Sequence, residues 1–181
     1  PTATRTPSAT PLVPTHTATH TPTVTPTPSA IPLTPTNTPA PGIIFFDSFE
    51  SDRGWLRNPF GTDTATTGLW ERADPQDTFW GQRLQLGTTQ SGTQDLVTGA
   101  LAGSSTGEHD LDGGTTSIRS PDISLPAGGG VQLSFYFYMA HLNNSSTDDF
   151  LRVRVYGTGS SDIVFEELGS ADNDFGAWSS V

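Results

Sequence analysis

Two runs alternate apolar and polar side chains with a period of two. In VQLSFYFYMA (131–140), Val131, Leu133, Phe135, Phe137 and Met139 fall on one side, and Gln132, Ser134, Tyr136 and Tyr138 on the other. In FLRVRVYG (150–157), Leu151, Val153 and Val155 stand opposite Arg152, Arg154 and Tyr156. Successive side chains of an extended strand point to opposite faces, so the pattern specifies antiparallel strands packed on a core from one side. No window carries a convincing amphipathic helical repeat.

Further strand signals follow the same logic. IIFFDSFE (43–50) is β-branched and aromatic, and LWERA (69–73), RLQL (83–86), DLVTG (95–99) and TTSIRS (115–120) are short strand candidates. Clusters of Gly, Asn, Asp and Pro punctuate them, as in a sandwich of short strands. The expectation is an all-β, jelly-roll β-sandwich over residues 43–181. The chain stops at GAWSSV, which reads as the start or middle of a strand. The sandwich is therefore expected to be truncated here and to be completed by strands beyond Val181.

Residues 1–42 are of another kind. They hold 11 of the 15 prolines, 14 threonines and one charged residue, Arg5. Such a segment cannot bury enough apolar surface to offset the entropy of ordering its backbone, so a disordered Thr/Pro-rich linker is expected. Proline biases it to polyproline II, and 42 residues would span on the order of 100 Å. The composition fits an unmodified spacer or an O-glycosylated stalk equally well. His16 and His20 are four apart, but the flanking prolines exclude the helix that would pair them. Pro1 follows neither an initiator Met nor a signal sequence, so the chain reads as an internal piece of a longer protein.

Charge narrows the partners. Residues 43–181 carry all 19 acidic residues against seven arginines and no lysine, a formal charge of −12. That surface repels phosphate backbones, so neither nucleic acid nor an anionic membrane is expected as a partner. No run is long enough to span a bilayer. The absence of cysteine removes disulfides, thiolate zinc sites and cysteine nucleophiles together.

The chemistry-bearing patterns are few. DLDGG (110–114) has the opening of a calcium loop, but an EF-hand needs an oxygen ligand at position 5, Gly at 6 and Glu at 12. Counted from Asp110 those places hold Gly114, Thr115 and Pro121. The stretch reads as a Gly-Gly turn whose Asp side chains bond the local backbone, or as part of a calcium site shared with distant carboxylates. His109 and His141 lack the glutamate three places on that a zinc peptidase needs. No Gly-x-Ser-x-Gly elbow is present. Asp148-Asp149 and Glu166-Glu167 are adjacent pairs, which an extended strand sends to opposite faces. Trp55, Trp70, Trp80, Tyr136, Tyr138 and Tyr156 could stack on sugar rings if they share an exposed face, or could pack on the second sheet.

In their order, FFDSFES…GW (45–55), LWERADP (69–75), SIRSPDISLP (117–126), LSFYFYM (133–139) and FLRVRV (150–155) resemble the strands of MAM-like jelly rolls and of adhesin modules in bacterial secreted proteases. The run from DTATTGLWERADP to DLDGGTTSIRSPDISLP is similar to the accessory jelly-roll domain of secreted bacterial zinc carboxypeptidases and similar exoproteins. The likeness spans most of 45–181. It implies a non-catalytic extracellular module, often with a structural calcium ion held by the Glu of the FE pair. Here that is Glu50, with Asp110 and Asp112 as companions and Asp63 as a further candidate. Animal MAM domains carry cysteines that this chain lacks.

The expectation is a secreted or surface-attached bacterial module, not an enzyme in itself, tethered by its spacer to a neighbouring domain of the same polypeptide. Its ligand would be carbohydrate, cell-wall material or protein, with Tyr136, Tyr138 and Tyr156 as stacking residues and calcium as the one cofactor. The alternative is a non-catalytic portion of a secreted zinc carboxypeptidase, needed for its folding or substrate targeting.

Overall fold

A computed structural model describes residues 42–181; the Thr/Pro-rich segment with His16 and His20 lies outside the described residues. The described residues form strands and loops with no helix, so the class is all-β. Ten strands make five antiparallel pairs. β1 (Leu56–Arg57) pairs with β6 (Ile118–Arg119), β2 (Trp70–Ala73) with β5 (Asp95–Thr98), and β3 (Phe79–Trp80) with β4 (Gln82–Arg83). β7 (Tyr136–Phe137) pairs with β10 (Ser179–Ser180), and β8 (Phe150–Gly157) with β9 (Ser160–Leu168).

The β8–β9 hairpin is the longest element, and its first half keeps the alternation expected of it. Leu151 and Val153 are half-buried, while Phe150, Arg152 and Arg154 are exposed. Val153 faces Phe165, whose ring meets Phe137 at 4.4 Å and Phe135 at 5.4 Å. These three rings join the 131–140 run to the β8–β9 hairpin. On the opposite face Arg152 ion-pairs with Glu166 and covers the Phe150 ring at 4.1 Å. Beyond Val153 the register shifts by one, so Val164 is left without a cross-strand partner, as at a β-bulge.

The strand expected over 131–140 is regular only at Tyr136–Phe137. Phe135 exchanges both backbone bonds with Val181, and His141 bridges Asp174. Residues 43–50 form no strand at all, despite their composition. Asp47 Oδ1 accepts the Phe49 N–H at 2.8 Å, Oδ2 accepts the Trp55 indole N–H at 2.8 Å, and Phe49 turns to φ 61° against the Trp55 ring. A side-chain acceptor two residues away offers the backbone an alternative to a ladder, and the chain takes it.

The most buried face belongs to β2–β5. Val97, Ala100 and Pro75 are the buried apolar side chains among those described, with Asp95 and Ser48 the buried polar ones. Residues 109–111 cross this pair tightly. A Cβ on Gly68 (φ 58°) would fall 2.2 Å from the Leu111 nitrogen, and one on Gly99 (φ 75°) 2.1 Å from the His109 carbonyl oxygen. Only glycine admits both the approach and the left-handed backbone.

Candidate functional site

Carboxylates hold much of this fold in place. Eight of them accept backbone N–H groups: Asp47 from Phe49, Glu50 from Thr93 and Gln94, Asp52 from Gly54, Asp63 from Ser117, Glu71 from Ala100, Asp77 from Gly87, Glu108 from Ser104, and Asp149 from Ser146. Short strands leave many loop N–H groups without a ladder partner, and acidic side chains supply the acceptors.

Glu50 is one of them. Its Oε1 lies 2.8 Å from the Thr93 nitrogen and 2.7 Å from that of Gln94, while Oε2 accepts the Thr93 hydroxyl. The Gln94 and Thr93 bonds, with Arg72 nearby, hold its pKa below the usual glutamate value. Arg72 itself bonds Gln94 and the Phe49 carbonyl. Glu50 thus fastens the loop that enters β5. Asp110 lies beyond the other end of β5, in the stretch that crosses Gly68 and Gly99, where burial and then the Asp112 charge raise its pKa. The structure brings Asp110 and Asp112 together and leaves Glu50 apart from them. Asp63 is spent on Ser117, whose N–H and hydroxyl both reach its carboxylate. Among the described residues no three His, Asp or Glu side chains are placed to hold one metal ion.

The three tyrosines occupy three environments. Tyr136, on β7, is 62 % exposed. Tyr138 is half-buried: its ring stands edge-on to Trp178 at 4.8 Å, its hydroxyl accepts the Leu86 N–H, and burial raises its pKa. Beside it is a recess of about 150 Å³ whose lining includes Glu167, Asp174 and Phe175. Tyr156 is 51 % exposed and packs on Phe60 at 5.3 Å. A wider cleft of about 290 Å³ lies over the β2–β5 end, with Arg57, Glu71 and His109 in its wall. Glu71 is already engaged there by the Ala100 N–H at 2.7 Å.

Asp95 is the residue that sequence reasoning missed. It sits on β5 with only 7 % of its surface exposed, and its Oδ1 has no hydrogen-bond partner. Burial, with the Asp74 charge second, pushes its pKa up to about 6. The signal was present in the parity of DLVT, where Asp95 falls on the same face as Val97.

No family model, curated protein or solved structure matches this chain. No helix among the described residues is long and apolar enough to cross a membrane.

Proposed function

We propose that the chain is a non-catalytic accessory module of jelly-roll type, carried outside a bacterial cell on its Thr/Pro spacer beside another domain, and that it holds a carbohydrate or cell-wall ligand through exposed aromatic side chains. The observation that carries the reading is the division of labour between side chains. Many carboxylates are committed to the module's own backbone, whereas Trp80, Tyr136 and Tyr156 turn half or more of their surface to water. Large exposed aromatics on a scaffold fixed by other groups are what a stacking ligand needs. The acid excess directs such a surface towards neutral ligands.

Retention of the full chain on insoluble cellulose, xylan, chitin and peptidoglycan tests this. Retention on at least one of them that survives high salt is expected, because stacking is not screened as ion pairs are. A chain that washes through all four would end the reading.

A further inference from the structure

The β3–β4 hairpin presents an exposed tryptophan beside its tip. Phe79 pairs with Arg83 and Trp80 with Gln82 across a tip made by Gly81 alone. Residues directly opposite in an antiparallel pair share a face, so Phe79 and Arg83 lie on one side and Trp80 and Gln82 on the other. The first side is partnered within the protein, though Phe79 is 53 % exposed: the Arg83 guanidinium lies 5.3 Å from the Phe79 ring centre, and Arg83 is itself held by Asp77 at 3.0 Å. The second side is open. Trp80 is 61 % exposed and stacks on no ring, and neither its indole N–H nor the Gln82 amide has a hydrogen-bond partner among the described residues. Trp55 and Trp178, by contrast, spend their N–H groups on Asp47 and on the Thr88 carbonyl.

The stem beneath is fixed from several directions. The Thr78 N–H bonds the Gln85 carbonyl and the Gln85 N–H the Thr78 hydroxyl, the Gln85 side-chain amide reaches the Gln76 and Ala100 carbonyls, the Thr106 hydroxyl bonds the Phe79 carbonyl, and the Gly176 N–H bonds that of Arg83. A platform held this firmly loses little freedom when a ligand settles on it.

We infer that Trp80 and Gln82 form a carbohydrate-binding platform for a neutral pyranose unit. The indole face, negative at its centre, attracts the C–H edge of a sugar ring. The Gln82 carboxamide and the indole N–H supply the donors and acceptor that the ring hydroxyls require. The inference rests on the accessory-module reading and gives that module a residue-level site, separate from Tyr136 and Tyr156.

The test titrates the full chain with cellohexaose, xylohexaose and chitohexaose, reading tryptophan emission, and repeats the polysaccharide retention with variants. At least one sugar is expected to quench and blue-shift the emission. Trp80→Ala should weaken binding on the order of tenfold or more, Gln82→Ala several-fold, and Trp80→Phe less than Trp80→Ala, since a ring remains. Leu56→Ala, an exposed apolar residue on β1, should bind as the parent does, and circular dichroism checks that every variant keeps its fold. If the parent is retained on a polysaccharide and Trp80→Ala is retained equally, or if Tyr136→Ala is the variant that fails, the hairpin assignment is overturned while the module reading stands. If the parent binds none of the sugars or polysaccharides, both fall together.

Discussion

At the scale of single residues, the acid groups act in two opposite senses. Glu50, Glu108 and Asp149 have pKa values lowered chiefly by hydrogen bonds from Gln94, Ser104 and Ser146. Each contributes stability above its unfolded pKa that is lost as pH falls through the folded value. Glu50→Ala should therefore lower stability near neutrality by about 1 kcal/mol, as loss of a half-buried carboxylate accepting charge-assisted bonds would, and the deficit should vanish in acid; urea unfolding across pH checks it. Asp95 runs the other way. Its pKa, pushed up to about 6, lies above the ordinary aspartate value, so the fold binds the proton more tightly than the unfolded chain does. Stability from this residue is full below pH 4 and is lost as pH rises through 6. Asp95→Asn should be more stable than the parent at pH 8 by up to about 3 kcal/mol, with the gap closing towards pH 4. A gap that does not change with pH would show that Asp95 is not buried as described.

At the scale of elements, side-chain parity was the legible part. The alternation of FLRVRVYG specifies a strand, and the segment is β8 to the residue; Phe135 and Phe137 do point to one side, on to Phe165. What the sequence concealed was local competition. Asp47 captures the Phe49 N–H and breaks a run whose composition is that of a strand. SSDIVFEEL, which is β9, hides its period behind the unpaired Val164. Of the site residues, the exposure of Tyr136 followed from parity, but nothing in the sequence showed that Glu50 would meet Thr93 and Gln94, because that contact joins segments 43 and 44 residues apart. The Gly68 and Gly99 crossings are equally invisible in sequence and give the sharpest element-level prediction. Gly68→Ala or Gly99→Ala forces a Cβ into backbone at a positive φ and should cost more than about 2 kcal/mol. Gly81→Ala, at a positive φ with open space around it, should cost only about 1–2 kcal/mol. Thermal midpoints of the three variants measure the difference, and equal losses would contradict the crossing.

At the scale of the whole molecule, the fold leaves much of its apolar surface uncovered. Leu133, Val155, Ile163 and Val164 are among many exposed apolar residues, while Val97, Ala100 and Pro75 make up the buried apolar set among those described. Two-stranded pairs are weak alone and gain stability from a layer packed against them. The chain as it stands should therefore unfold with a shallow urea dependence, near or below the lower limit of about 1 kcal/mol/M for small domains; a steep, cooperative transition would contradict that. The central claim is that carboxylates serve the architecture and an exposed tryptophan serves the ligand. Its most direct test is retention of the full chain on polysaccharide, measured side by side with calcium and with chelator. Retention is expected to be the same in both and to be lost in Trp80→Ala. Retention that disappears with chelator while Trp80→Ala still binds would place the ligand site at the carboxylates instead.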